Sequence, residues 1–168
     1  MSIRIRNETL SDVAAIEALI AAAFLDARHA SHTEQFIVNA LRDAGQLSIS
    51  LVAEDDGEIV GHVAVSPVSI SDGTEGWYGL GPIAVMPGRQ GQGIGSELMR
   101  RALDELRGLD AAGCVVLGEP SYYARFGFKA EPGLVLPDVP PEYFQAVCFR
   151  GPMPAGIVRY HEAFEVRS

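Results

Sequence analysis

Gln90, Gly91, Gln92, Gly93, Gly95 and Ser96 stand between an apolar run, Ile83-Ala84-Val85, and a helical pattern that starts at Ser96. Strand, glycine-punctuated loop and helix in this order build an anion site from backbone alone. Glycine lets the chain approach a ligand closely and accept positive φ. The first helical N–H groups lack intrahelical partners, and the helix dipole favours negative charge in front of them. The plainer reading is a tight strand-to-helix turn. The loop lacks the Lys-Ser/Thr ending of a P-loop, which argues against Mg-nucleotide hydrolysis. It also lacks G-x-G-x-x-G and does not sit in an N-terminal βαβ unit, as a dinucleotide fold requires. It does fit Gln/Arg-x-x-Gly-x-Gly/Ala through Gln90, Gly93 and Gly95.

A second stretch carries two phenols: Ser121-Tyr122-Tyr123-Ala124-Arg125-Phe126-Gly127-Phe128. Tyrosine there can pack a short helix or donate a proton. His29 and His32 read as solvated loop histidines. Cys114 and Cys148 lie in apolar sequence without metal-ligand spacing and read as buried free thiols in a reducing cytoplasm. No metal site is expected.

The positioning elements follow from periodicity. Ile3–Arg6 alternates like a half-buried strand. Val13, Ile16, Leu19, Ile20, Ala23 and Phe24 repeat at helical spacing after a Thr9/Asp12 start signal. Thr33–Ala44 is a second helix with Phe36, Ile37, Ala40 and Leu41 inward. Leu47–Glu54, the Asp55-Asp56-Gly57 turn and Glu58–Ser71 form a hairpin. Ile59, Gly61, Val63 and Val65 are assigned to one face, with His62, Val60 and Ala64 on the other. Trp77–Val85 is the next strand, and Pro82, which has no N–H, marks a bulge or an interruption of pairing in it. Ser96–Leu109 is an amphipathic helix with Ile94, Leu98, Ala102, Leu106 and Leu109 inward. Cys114–Leu117 is a strand buried on both faces, closing a right-handed βαβ crossover. Tyr143–Phe149 and Ile157–Tyr160 are strands.

The chain has 168 residues and a net charge of −9, with a sequence pI near 4.8. It reads as one globular domain, residues 1–168. The acidic balance argues against nucleic acid or an anionic membrane as partner and weakly favours a cationic acceptor. No segment is apolar and long enough to span a bilayer. The polar, alternating N-terminus does not read as a signal peptide, so a cytoplasmic location is expected.

The two motifs together resemble the GNAT acetyltransferase superfamily, most closely its bacterial YhbS-like branch. There, a pyrophosphate loop of the Gln90/Gly93/Gly95 type is followed by a helix, a strand and a short helix ending in (Phe/Tyr)-Tyr-x-x-x-Gly-Phe. The resemblance covers nearly the whole chain. It implies an α/β (α+β) GNAT acyl-CoA N-acyltransferase fold. That fold has a mixed, mostly antiparallel sheet, a central parallel βαβ unit and a V-shaped splay between the two parallel strands. It implies transfer of an acetyl group from acetyl-CoA, as co-substrate, to a primary amine of a small molecule or protein by direct attack in a ternary complex. By this resemblance Gln90, Gly91, Gln92, Gly93, Gly95 and Ser96 hold the pyrophosphate. Ile83 and Val85 pair with the pantetheine arm, Ala84 between them is part of the same cofactor-binding stretch, and the Val85 N–H meets the oxyanion. Tyr123, which also contacts the cofactor, is the general acid, with Tyr122 the lesser alternative. The base is open among Glu34, Glu54, His62 and Glu119. One departure is Gly118-Glu119-Pro120 in place of the family's usual polar Asn. A non-catalytic acyl-CoA-binding sensor or regulatory module of the same fold is the alternative. A homodimer using Val147–Tyr160 is a further expectation.

Overall fold

The computed structural model describes residues 3–25 and 32–166. His29 lies outside them, and His32 is exposed. The strands are β1 (Ile3–Asn7), β2 (Ile49–Asp55), β3 (Glu58–Ile70), β4 (Trp77–Val85), β5 (Gly113–Leu117), β6 (Lys129–Ala130), β7 (Leu134–Val135), β8 (Phe144–Cys148) and β9 (Gly156–Tyr160). The helices are α1 (Val13–Phe24), α2 (Glu34–Asp43), α3 (Ile94–Gly108) and α4 (Pro120–Tyr123). The sheet runs β1-β2-β3-β4-β5-β8-β6, and β9 pairs with β3 and β7. Within the main path only β4 and β5 are parallel. Their crossover is α3, because parallel neighbours cannot be joined by a tight turn.

Alternation along the central strands sets the layers. Leu51, Ala53, Val63 and Val65 face α3 and pack on Leu98, Ala102 and Leu106. Val52, Ala64 and Ala84 face the opposite way, against Ile16 and Ile20 of α1 and Val38 of α2. The Val, Leu and Ile side chains among these contribute roughly 1.5–3 kcal/mol each on full burial.

One assignment in β3 is corrected. The β2–β3 register slips between Ala53 and Glu54, so that Gly61 faces Ala53 while Ile59 faces Glu54. Val60 is the extra residue, and a bulge reverses the alternation beyond it. Val60 therefore joins the α3 side, and Ile59 joins the α1 side. Strict period-2 counting places both on the wrong face.

Three burial expectations also fail at element ends. Leu109 falls after α3 and is exposed, as is Leu117 at the tip of β5. Cys148 is half-buried rather than buried, whereas Cys114 is buried as expected, and burial pushes its thiol pKa far up. The inward face of α2 also includes Val38, while Phe36 and Ala40 are only half-buried. The C-terminal strands are engaged within the chain: β8 lies between β5 and β6, and β9 between β3 and β7. The backbone of this region is thus already paired, although Ile157 and Met153 remain exposed.

Candidate active site

β4 and β5 are paired only from Trp77–Gly79 to Gly113–Val115. Beyond this the two strands part. β5 keeps its pairing with β8 through Leu117, and β4 keeps its pairing with β3 through Val85. The β3–β4 ladder runs Val63↔Ile83 and then Val65↔Leu80, so Gly81 and Pro82 form the bulge expected at Pro82.

The parting leaves backbone groups of β4 facing a gap. The Met86 N–H donates to the Val60 carbonyl on β3 at 2.8 Å. Strand alternation then turns Ala84 towards β3 and turns the N–H and C=O groups of Ile83 and Val85 into the gap. The Val85 carbonyl accepts from Gln90 Nε2 at 3.2 Å, which agrees with that orientation. Ala84 differs from its neighbours: its backbone faces the β3 ladder and its side chain is buried under α1. Of the three residues in this cofactor-binding stretch, only Ile83 and Val85 present backbone groups to the gap.

The glycine loop lies beyond the end of β4. Gly93 is the N-cap of α3 with φ of 87°, a conformation that glycine adopts without penalty. The first helical bond runs from the Glu97 N–H to the Gly93 carbonyl. The N–H groups of Ile94, Gly95 and Ser96 therefore point out of the helix end. Gly95 has a different reason to be glycine: a Cβ there would stand 3.1 Å from the Tyr122 hydroxyl. Gln90, Gly91, Gln92 and Gly93 are exposed. Arg89 braces the loop, with Nη2 2.8 Å from Asp55 and Nε donating to Gln92 Oε1 at 3.2 Å.

The two phenols part company. Tyr122 lies against Gly95 at the α3 N-terminus, whereas Tyr123 lines a cavity in the gap. Burial, with a smaller contribution from Tyr122, pushes the Tyr123 pKa up to about 12. Arg125, one turn further, stacks on Tyr122 at 4.8 Å, and its Nη2 donates to Ser96 Oγ at 2.7 Å. Sequence reasoning missed Arg125. It sets positive charge beside the α3 N-terminus in an acidic chain, and its place inside the second motif was the available signal.

The cavity measures about 380 Å³. Gly81, Pro82 and Ile83 of β4, Leu117 of β5 and Tyr123 form the side towards the splayed strands. Phe24 of α1, Glu34 and Ile37 of α2, and Tyr160 and Phe164 near the C-terminus form much of the rest. The exposure of Leu117 is thus exposure to this cavity. Tyr160 and Phe164 carry no local sequence signal; only the β9–β3 pairing brings them here.

Of the four possible bases, only Glu34 lines the cavity. Glu54 is tied to Arg6 Nε at 2.7 Å, and Glu119 is exposed ahead of α4. His62 is buried and hydrogen-bonded through Nε2 to Ser50 Oγ at 2.8 Å. Ser50 in turn bonds Glu8, which Arg42 clamps with two contacts of 2.8 Å. Burial, eased by the nearby Glu8 charge, lowers the His62 pKa to about 4. An imidazole so poised is neutral and a weak base. Among the described residues no group of histidines, cysteines and carboxylates could hold a metal ion.

Comparison with known proteins agrees with this geometry. Residues 13–128 match the Acetyltransferase (GNAT) family. The chain is 39% identical over 126 residues to the uncharacterised N-acetyltransferase YhbS of Escherichia coli K12, covering 74% of this chain and 72% of that protein. A Brucella melitensis GNAT family acetyltransferase solved in complex with acetyl-CoA superposes with a TM-score of 0.87 at 48% identity, over 97% of this chain and 98% of that one. Escherichia coli YhbS in complex with CoA gives 0.88 at 34% identity, over 99% and 93%. The chain belongs to the GNAT acetyltransferase family.

Proposed function

We propose that this protein is an acetyl-CoA-dependent N-acetyltransferase acting on a primary amine. The observation that carries the reading is the parted β4–β5 pair. It places outward-facing backbone of Ile83 and Val85 in line with the α3 N-terminus at one end and the Tyr123 cavity at the other. The pantetheine amides pair with Ile83 and Val85 as an added strand does. The pyrophosphate meets the N–H groups at the start of α3, with Gln90, Gln92 and Arg125 around it. The two relatives whose structures hold acetyl-CoA and CoA support this reading.

In the reaction, the acceptor arrives as an ammonium, with an ordinary pKa of about 10.4. Apolar surroundings lower that value, and one proton leaves by way of the Glu34 carboxyl to water. The free amine attacks the thioester carbon, a C–N bond forms, and the carbonyl oxygen becomes an oxyanion facing the Val85 N–H. The C–S bond then breaks and sulfur keeps the electron pair. The surplus proton on nitrogen reaches sulfur through the Tyr123 phenol, which gives one proton and takes one back. A phenol with a pKa of about 12 stays protonated throughout the neutral range and is ready for that relay. The free thiols and the absence, among the described residues, of a helix able to cross a membrane fit a cytoplasmic setting.

Calorimetry with acetyl-CoA tests the cofactor assignment. Wild type is expected to bind at micromolar Kd. Gly93→Asp combined with Gly95→Asp is expected to lose binding at least a hundredfold while keeping its circular dichroism spectrum. Absence of binding by folded wild type would overturn the reading.

A further inference from the structure

We infer that the acceptor carries a single amino group on an apolar body, aliphatic or aromatic, seated in the β4–β5 cavity with its nitrogen at Glu34. This rests on the transferase reading and names its substrate class.

The cavity of about 380 Å³ is near the small end of ligand pockets. Its walls are mainly apolar and aromatic. Phe24 and Ile37 come from the helical layer, Leu117 and Leu136 from the opposite side, and the Tyr160 and Phe164 rings lie 4.9 Å apart between centroids. Tyr160 reaches this position because Gly79 has no side chain: a Cβ at Gly79 would stand 2.4 Å from the Tyr160 ring. A built aromatic wall of this kind gains most from an apolar or aromatic partner.

Charge narrows the choice further. Among the described lining residues Glu34 is the one acidic side chain, and none is basic. It stands at the first position of α2 and is buried. One ammonium can be matched there. A polyamine or aminoglycoside would bring further ammonium groups onto apolar walls, and an uncompensated buried charge is strongly disfavoured. The overall charge of −9 favours cations in general, but among the described residues the lining of the cavity offers a single carboxyl. On this inference the local composition outweighs the global balance and narrows the cationic acceptor to a monoamine.

Thiol release at saturating acetyl-CoA tests the inference, using phenethylamine, isopentylamine, spermidine and a lysine-containing peptide as acceptors. The apolar monoamines are expected to exceed spermidine and the peptide at least tenfold in kcat/KM. Glu34→Gln is expected to raise the phenethylamine KM at least tenfold, with acetyl-CoA Kd unchanged by calorimetry. Leu136→Trp, which narrows the cavity away from the glycine loop, is expected to weaken phenethylamine more than isopentylamine. Preference for spermidine or the peptide, or acetyl-CoA binding without transfer to either monoamine, overturns the inference and leaves the cofactor assignment standing. An unchanged phenethylamine KM in Glu34→Gln also overturns it. Failure of wild type to bind acetyl-CoA overturns the transferase reading and this inference with it.

Discussion

The two ends of the β4–β5 gap are built from different materials. At the α3 end the groups that face outward are backbone N–H groups on a glycine loop, contiguous in sequence from Gln90 to Ser96 and exposed over Gln90–Gly93. At the other end they are side chains: Phe24, Glu34, Tyr123, Tyr160 and Phe164, drawn from five separate segments. Backbone recognition suits a ligand part that does not vary, because any pyrophosphate meets the same N–H groups. Side-chain recognition suits a variable part, because each wall residue can change without disturbing the loop. On the proposed reading the backbone end holds the cofactor and the side-chain end the acceptor.

The largest departure that sharpens this contrast concerns the phenol of the cavity end. Tyr123→Phe is expected to lower kcat about a hundredfold, the ordinary contribution of a positioned proton donor. Acetyl-CoA Kd should stay within about twofold, since on this reading the ring, not the hydroxyl, does the packing. Steady-state kinetics with calorimetry checks this, and equal losses in both would make Tyr123 a structural residue. Next in size is Arg125→Ala. It is expected to weaken acetyl-CoA about tenfold, in the range of one charge-assisted hydrogen bond, and to flatten the salt dependence of Kd. The amine KM should not move. A change in amine KM without a change in acetyl-CoA Kd would break the division between the two ends.

The smallest expected effect on activity comes from His62→Gln, within twofold in kcat/KM, because His62 lies outside the gap. Its effect is on stability. The folded-state pKa of about 4 is below the ordinary 6.5, so between these values the unfolded chain binds more protons and stability falls as pH falls. The window from pH 6.5 down to 4 is worth about 3 kcal/mol at 1.36 kcal/mol per pH unit. Denaturant melts across that window should show the loss in wild type and little of it in His62→Gln. Glu8 is also held below its ordinary value: burial opposes this, but Arg42 and Ser50 outweigh it. Arg6 does the same for Asp12. Those two contributions fade only at lower pH.

What was legible in the sequence follows the same division. The Gly91–Ser96 loop is local in sequence, and its glycines are dictated by φ and by close approach, so its pattern survives translation into text. The Pro82 interruption was legible because a missing N–H has one structural meaning in a sheet. The Val60 bulge was marked only by Gly61, and a glycine inside a strand signals a bulge and a close approach alike; here it also makes room for Ile94 and Leu98 of α3. Leu117 reads as buried because apolarity alone cannot distinguish a core residue from a cavity wall. Tyr160 and Phe164 reach the site only through the pairing of β9 with the outer end of β3, a contact across about ninety residues of chain that no local pattern encodes.

The short β4–β5 pairing has a geometric meaning. Three residue pairs, Trp77–Gly79 with Gly113–Val115, set the point of parting, and from Leu80 to Val85 β4 is held along one edge, by β3. Six residues of strand span roughly 20 Å at about 3.3 Å each. Over that length a difference of about 3° in the direction in which the β3–β4 ladder leaves the junction displaces its far end by about 1 Å, the scale that separates a productive contact from a lost one. At the junction the Trp77 indole lies on Gly113, where a Cβ would stand only 2.4 Å from the ring. A ring outside the gap thus fixes the angle at which the gap opens.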